Sequence, residues 1–350
     1  MNHPLPREDL EHVLEKTRGL WTERRVLFSG ASGFFGSWML ETFLHAGTHL
    51  HLPLQAIALT RDARRFSQHL PHLAGDPRVE LMECDATTMP VPDGPVDEII
   101  HSLSPDSGTP VDQTEYFFQS ATRRLLEVAS SKAVRGFLLC STGAVYQPGD
   151  PPGPFSESDP LTPLESPVSY AQIRRKVEDQ CLKAFAEENV PVKIARGFAF
   201  VGPRLPLDAG FAIGNFIRDA VAGGPIVITG DGTAVRSYLY AADMAVWLWT
   251  ILFQGMPGRA FNVGADEAIS IGSLARTIGG MLDVTITVTG QAAPGAAPAS
   301  YVPCTNRAES ELALRPWTGL REGIGKTIRW HHPMTRATGG GALPKPGEGK

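Results

Sequence analysis

Seven residues near the start of the chain, Gly30-Ala31-Ser32-Gly33-Phe34-Phe35-Gly36, constrain it more than any other segment. They follow the apolar run Arg25 to Ser29, which reads as a buried strand, and they open a helical pattern from about Phe35 to His45. A turn this tight needs a residue without a side chain, and a backbone that must lie close to a ligand needs another. The free N–H groups and the dipole at a helix start attract an anion, so a glycine turn at this junction suits a pyrophosphate. The glycines carry weight because of the strand before them and the helix after them.

The same alternation continues through the first half. Gln55 to Thr60, Val79 to Cys84, Glu98 to Leu103 and Gly136 to Ser141 are short apolar runs, several separated by helical patterns, notably Glu115 to Ser130. Near-continuous apolar strands alternating with helices predict a parallel sheet covered on both faces, an α/β fold of the Rossmann-like, doubly wound type. Tyr170 to Glu187 adds a helix and Val192 to Arg196 a strand. After Gly202 the elements shorten, with a helix near Gly214 to Val221, a strand at Ile226 to Thr229 and a helix at Asp243 to Phe253. That change predicts a smaller C-terminal substrate-binding lobe with a cleft between the lobes. Residues 1–22 then form an N-terminal covering helix and residues 23–201 the nucleotide-binding domain. Residues 202–332 are mainly the substrate lobe, and residues 333–350, with Gly339-Gly340-Gly341 and late charges, a disordered tail. The Pro-, Gly-, Ser- and acid-rich stretch Gln147 to Pro167 reads as a long loop of the kind that lines sites.

Composition removes several function classes. With 42% hydrophobic and 20% charged residues, 350 residues can bury an ordinary core. A formal net charge of -5 argues against a nucleic-acid partner, which needs a basic face. No segment approaches the ~20 apolar residues of a membrane span, and Met1 to Glu8 has no apolar signal core, so a cytoplasmic protein is expected. Cys84, Cys140, Cys181 and Cys304 show no C-x-x-C spacing, which predicts neither a metal site nor a disulfide framework. Cys84 and Cys140 lie in apolar runs and read as small buried hydrophobes.

The G-x-x-G-x-x-G spacing resembles the extended branch of the short-chain dehydrogenase/reductase superfamily, the NAD-dependent epimerase/dehydratase family that modifies nucleotide sugars. Other segments support the resemblance. Asp85-Ala86 stands where the family sets an aspartate against adenine, and His101-Ser102-Leu103-Ser104 resembles its strand-four segment beside the cofactor. Gly202-Pro203-Arg204 and Phe261-Asn262-Val263-Gly264 resemble its "GPR" and "NVG" signatures, and the likeness runs from about Arg25 to Trp330. It implies NAD or NADP as cofactor, held by Gly30, Ser32, Gly33, Phe34, Phe35, Gly36, Arg61, Asp85, Ala86, Ser102, Leu103, Tyr170 and Arg174. The second strand ends Thr60-Arg61-Asp62: Arg61 can accept a 2′-phosphate, Asp62 can accept ribose hydroxyls, and Arg64 and Arg65 add charge nearby.

The resemblance also assigns chemistry. Thr142 would bond the reacting oxygen and Tyr170 would exchange its proton while hydride moves. A phenol of pKa ≈ 10 needs a positive charge to act near neutrality. The family supplies a lysine four residues on; here that position holds Arg174, which keeps the charge in a larger planar fork, while Lys176 falls on another helical face. Dehydratases of the family carry Asp-Glu after the threonine and decarboxylases a glutamate, whereas this chain has Gly143 and Ala144. Arg204, Asn215 and Arg236 stand where the family holds a nucleotide-sugar diphosphate, and Asp243 reads as a helix cap. The implied activity is epimerisation at a sugar carbinol through a keto intermediate. NADPH-dependent reduction of a keto-sugar, dehydration with acids placed elsewhere, and binding without turnover stay open. A homodimer through helices 115–130 and 170–187 is implied by the same likeness.

Overall fold

The computed structural model describes residues 3–105, 108–149, 153–291 and 298–332. The tail expected from 333 onward lies outside the described residues. The first half alternates as its apolar runs predict. After α1 (Arg7–Thr17) come β1 (Arg24–Ser29), α2 (Phe34–Leu50), β2 (Leu54–Thr60), α3 (Ala63–His69), α4 (Pro71–Ala74), β3 (Val79–Glu83) and β4 (Glu98–His101). Then follow α5 (Val111–Lys132), β5 (Gly136–Thr142), α6 (Tyr170–Glu188) and β6 (Val192–Gly197). The second half holds β7 (Phe200–Val201), α7 (Ala212–Val221), β8 (Ile226–Ile228), β9 (Val235–Arg236), β10 (Leu239–Tyr240), α8 (Ala241–Gln254) and β11 (Arg259–Val263). It closes with β12 (Ile269–Ser270), α9 (Ile271–Leu282), β13 (Ile286–Val288), β14 (Ser300–Tyr301), α10 (Asn306–Leu312) and α11 (Leu320–His331).

Seven strands form one parallel sheet in the order β11-β6-β5-β4-β1-β2-β3. The order reverses between β1 and β4, which is where a doubly wound sheet opens a crevice at its carboxyl edge. Both faces are covered. On one, Trp21, Phe28, Trp38, Phe43 and Trp249 pack between the sheet, α1, α2 and α8, with Trp249 stacked on Phe43 at 5.7 Å. On the other, Phe118, Leu125, Ile173 and Val177 of α5 and α6 cover Leu27, Ile99, Phe137 and Ile194. Strands buried on both faces have no polar side to alternate, so they read as continuous apolar runs. Among the described residues, no helix is long and apolar enough to cross a membrane.

The first and last described helices are joined. Asp9 of α1 is buried and accepts from Tyr240 Oη at 2.7 Å and from Lys326 Nζ of α11 at 2.8 Å. Burial raises its carboxyl pKa against the pull of Lys326 and Tyr240. His12 reaches Asp243 at 2.8 Å. The Asp243 carboxylate accepts the N–H groups of Trp317 and Thr318 at 2.9 and 2.8 Å. The reading of Asp243 as the cap of α8 is therefore corrected: it lies inside that helix and fastens α1 and the segment before α11 to it.

Candidate active site

The glycine turn is built as its spacing implies. Gly30 sits at φ +81°, and a Cβ there would lie 2.5 Å from Ser102 O, so the β1 turn and the end of β4 approach to backbone contact. At Gly36 a Cβ would stand 2.2 Å from Gly30 O, which holds the start of α2 against the turn. Phe34 and Phe35 aim their rings at Phe200, with centroids 6.3 and 5.2 Å away. Their side chains thus join the turn to β7. A cavity of about 290 Å³ opens at this edge of the sheet, lined by Gly30, Ser32, Gly33, Arg61, Ala86, Ser102 and Leu103 among others. Cys84 lines it too and is only half-buried, unlike Cys140 beneath. Asp85 is exposed and its carboxylate closes a local turn, accepting Thr87 N and Oγ1, both at 2.7 Å. A second cavity, about 330 Å³, lies at the opposite end of the strands around the Arg24–Glu98 ion pair and holds none of the candidate residues.

Thr142 ends β5, and its Oγ1 lies 3.4 Å from Tyr301 Oη. Burial pushes the Tyr301 phenol up to about 12. Tyr301, from β14, is 159 residues away in sequence and was not anticipated. No local spacing marks it. Tyr170 is the first residue of α6, set there by a capping box in which Ser169 Oγ and Gln172 Oε1 exchange bonds with the backbone. Half of the tyrosine is exposed, and its ring lies 6.4 Å from Phe118. Arg174 follows one turn on but is 3% exposed. Its Nη2 donates to Cys140 O, and its guanidinium lies 4.5 Å from the centre of the same Phe118 ring. Phenol and guanidinium thus flank one phenylalanine, and no hydrogen bond joins them among the described residues. Lys176 pairs instead with Glu115 of α5 at 2.6 Å. Below lies His101, bonded to Thr122 Oγ1 at 2.9 Å; burial, aided by the Arg174 charge, holds its pKa down to about 3.

The small residues after Thr142 have a structural reason. A Cβ on Gly143 would fall 2.5 Å from the Phe198 ring, so that ring fills the space a side chain at 143 needs. Phe198 in turn packs on Tyr301 at 4.7 Å and on Tyr146 at 6.2 Å. Beneath this aromatic layer runs a buried polar network. Arg196 bonds Glu178 at 2.7 Å and Tyr146 Oη at 2.9 Å, Tyr146 donates to Asn262 at 2.6 Å, and Ser141 donates to Glu178. Asn262 also donates to Phe155 O and Cys304 O, tying the long loop to the last part of the fold. Buried charges are tolerable here because each has partners.

The three arginine and asparagine candidates separate. Arg236 lies on β9 with its guanidinium 5.8 Å from the Tyr301 ring, so Thr142, Tyr301 and Arg236 form a continuous row. Asn215 lies on α7, where its amide oxygen accepts from Arg218 at 3.3 Å. Arg204 is corrected. It is a buried structural cation, paired with Glu41, whose other contacts are Leu5 N at 2.7 Å and His72 at 3.0 Å. Burial alone would raise the Glu41 carboxyl, but His72 and Arg204 outweigh it and hold the pKa below the usual range. A guanidinium enclosed in this way cannot also take a diphosphate.

The NAD dependent epimerase/dehydratase family matches residues 26–264. The chain belongs to that family. Its cofactor is accordingly a nicotinamide dinucleotide, and the close-packed glycine turn beside an open cavity fits one: Gly30, Ser32, Gly33, Ala86, Ser102 and Leu103 line that cavity and would hold it. UDP-glucuronic acid decarboxylase 1 of Arabidopsis thaliana is 27% identical over 312 residues, covering 87% of this chain and 69% of that protein. UDP-glucuronic acid decarboxylase 5 of the same plant is 27% identical over 319 residues, with 89% and 90% covered. The solved UDP-glucuronic acid 4-epimerase of Bacillus cereus, in complex with UDP-glucuronic acid and NAD, has a TM-score of 0.74 at 21% identity, with 87% and 98% covered.

Proposed function

We propose that this family member is a nucleotide-sugar epimerase that works by hydride exchange at a sugar carbinol. The observation that carries the reading is the mouth of β5. A threonine hydroxyl and a tyrosine hydroxyl stand together there, the Phe198 ring fills the space beside Gly143, and the next residue, Ala144, carries no acid. The bound nicotinamide supplies a hydride acceptor and donor. The protein's own groups do the rest. Thr142 Oγ1, steadied by Tyr301, holds the reacting oxygen, and Tyr170 takes and returns its proton from the exposed start of α6. Arg174 keeps a positive charge on the same face of α6, fixed by Cys140 O and Phe118. Arg236, with Asn215, receives the diphosphate. The relatives named as decarboxylases suggest a UDP-sugar, but Gly143 and Ala144 stand in the segment where the resemblance places their glutamate, which favours plain epimerisation over loss of a carboxyl.

Incubation with a panel of nucleotide sugars tests this. Epimer formation with no net change in nicotinamide absorbance is expected. Release of carbon dioxide or of water from the sugar would overturn it. The arginines at the end of β2 favour a second reading, reduction of a keto-sugar with NADPH; stoichiometric loss of absorbance at the reduced nicotinamide would establish it. Exposed Tyr116 on α5 and Phe185 on α6 support a homodimer through that helix pair, which light scattering would check.

A further inference from the structure

We propose that the cavity at the amino edge of the central sheet is a second ligand site, built for a small hydroxylated carboxylate the size of one sugar ring, with Glu98 and Arg135 as the groups that recognise it. The site lies at the end of the strands remote from the glycine turn and from Thr142. It therefore stands apart from the reaction argued above and does not depend on it.

The cavity measures about 330 Å³, at the lower end of what small-molecule sites offer. That is room for a single sugar ring and too little for a nucleotide sugar. Arg24 opens β1, Glu98 opens β4, and Arg135 stands just before β5. Arg24 is a fixed wall. Its Nε donates to Thr22 O at 3.0 Å, Nη1 to Glu98 Oε1 at 3.1 Å and Nη2 to Leu20 O at 3.2 Å, and its guanidinium lies 4.0 Å from the centre of the Phe253 ring. Glu98 is not satisfied in the same way. It is 4% exposed, and its second carboxylate oxygen, Oε2, is buried without a hydrogen-bond partner among the described residues. A buried acceptor left unmet is costly, so this oxygen calls for a donor.

The charges around Glu98 decide what kind of donor. Arg24, Arg135 and Lys193 act on it together with Asp97, three cations against two carboxylates. Lys193 Nζ stands over Gly136: a Cβ there would lie 3.4 Å from that amine and 3.4 Å from the Glu98 stem. An ammonium donor would meet three like charges. A hydroxyl donates to Oε2 without adding charge. Burial raises the Glu98 carboxyl pKa against the pull of the cations, and a hydroxyl bond would favour its ionised form. The surplus positive charge then favours a ligand with one negative group elsewhere. Arg135 can receive that group. Its side chain is 56% exposed and its Nη2 lies 2.8 Å from Asp97, which leaves guanidinium donors for a ligand carboxylate. Gln254, the last residue of α8, also lines the cavity, and its amide can serve further hydroxyls as donor or acceptor.

Saturation-transfer NMR of the full-length protein, with D-glucuronate as the probe, tests this. Saturable binding is expected. D-Glucose and acetate should each bind at least about fivefold more weakly, because each lacks one of the two recognised groups. Arg135→Ser, at the exposed rim, should weaken glucuronate about tenfold while its melting temperature and its turnover on nucleotide sugars stay unchanged. Glu98→Gln should weaken glucuronate and glucose alike. Arg236→Ser, altered in the sugar cleft, should bind glucuronate as the wild-type protein does. No saturable binding, or equal binding of all three probes, would overturn the proposal. So would undiminished affinity in Arg135→Ser. A loss confined to Arg236→Ser would put the probe in the sugar cleft and overturn it as well.

Discussion

The two ends of the cleft are assembled differently. At the dinucleotide end, each ligand-facing segment is a short continuous piece of chain: strand, turn and helix start at 24–36, and again at 54–65. At the sugar end, the row Thr142, Tyr301 and Arg236 comes from three strands far apart in sequence, with Phe198 from a fourth position behind it. The first kind of site is specified by backbone conformation and survives changes elsewhere. The second exists only when the long loop and the last third of the chain are seated. A substitution at the first end should therefore act on binding, and one at the second on turnover or on the fold that holds it.

Tyr170→Phe should have the largest effect. Turnover on the responsive nucleotide sugar should drop about 10³-fold while nucleotide affinity, followed by calorimetry, stays within about twofold. Loss of binding instead would mean that the two ends are not separable. Arg204→Ala should cost about 3–5 kcal/mol in urea unfolding, because it strands the buried Glu41 carboxylate. Its KM should barely move; a large rise in KM with unchanged stability would restore Arg204 to the substrate. Gly30→Val, by forcing a side chain into Ser102 O at positive φ, should weaken dinucleotide affinity about 100-fold.

His101 sharpens the comparison from below. Its folded pKa of about 3 lies under the unfolded value of about 6.5, so between those limits the unfolded chain binds the proton and the native chain does not. This contribution lowers stability as pH falls, by about 1.4 kcal/mol per pH unit through the middle of the window. His101→Gln should flatten that slope in unfolding titrations from pH 6.5 to 4. Tyr301→Phe should have the smallest effect, about a fivefold loss in kcat/KM at unchanged melting temperature, since one neutral hydrogen bond is removed.

How legible these parts were follows the same division. The turn and six of the seven strands rest on local periodicity and spacing, which a single sequence displays; β11 was marked only by a family signature, and the roles expected of Thr142 and Tyr170 came from the family resemblance. Tyr301 was invisible because its partner is 159 residues away and its own segment has no pattern. Gly143 was noticed as a missing acid, but the Phe198 ring that explains it belongs to another strand. Arg204 misled for the opposite reason: a motif suggested a ligand, and only the packed neighbours Glu41, His72 and Leu5 reveal an internal ion pair. Asp62 was legible as a residue near the ribose, but not the direction in which its carboxylate is turned.

Because Asp9 is held by Lys326, the first helix has no finished seat until nearly all of the polypeptide has left the ribosome. Residues 9 and 326 must both be present before this anchor can close, so its formation waits on a segment far along the chain.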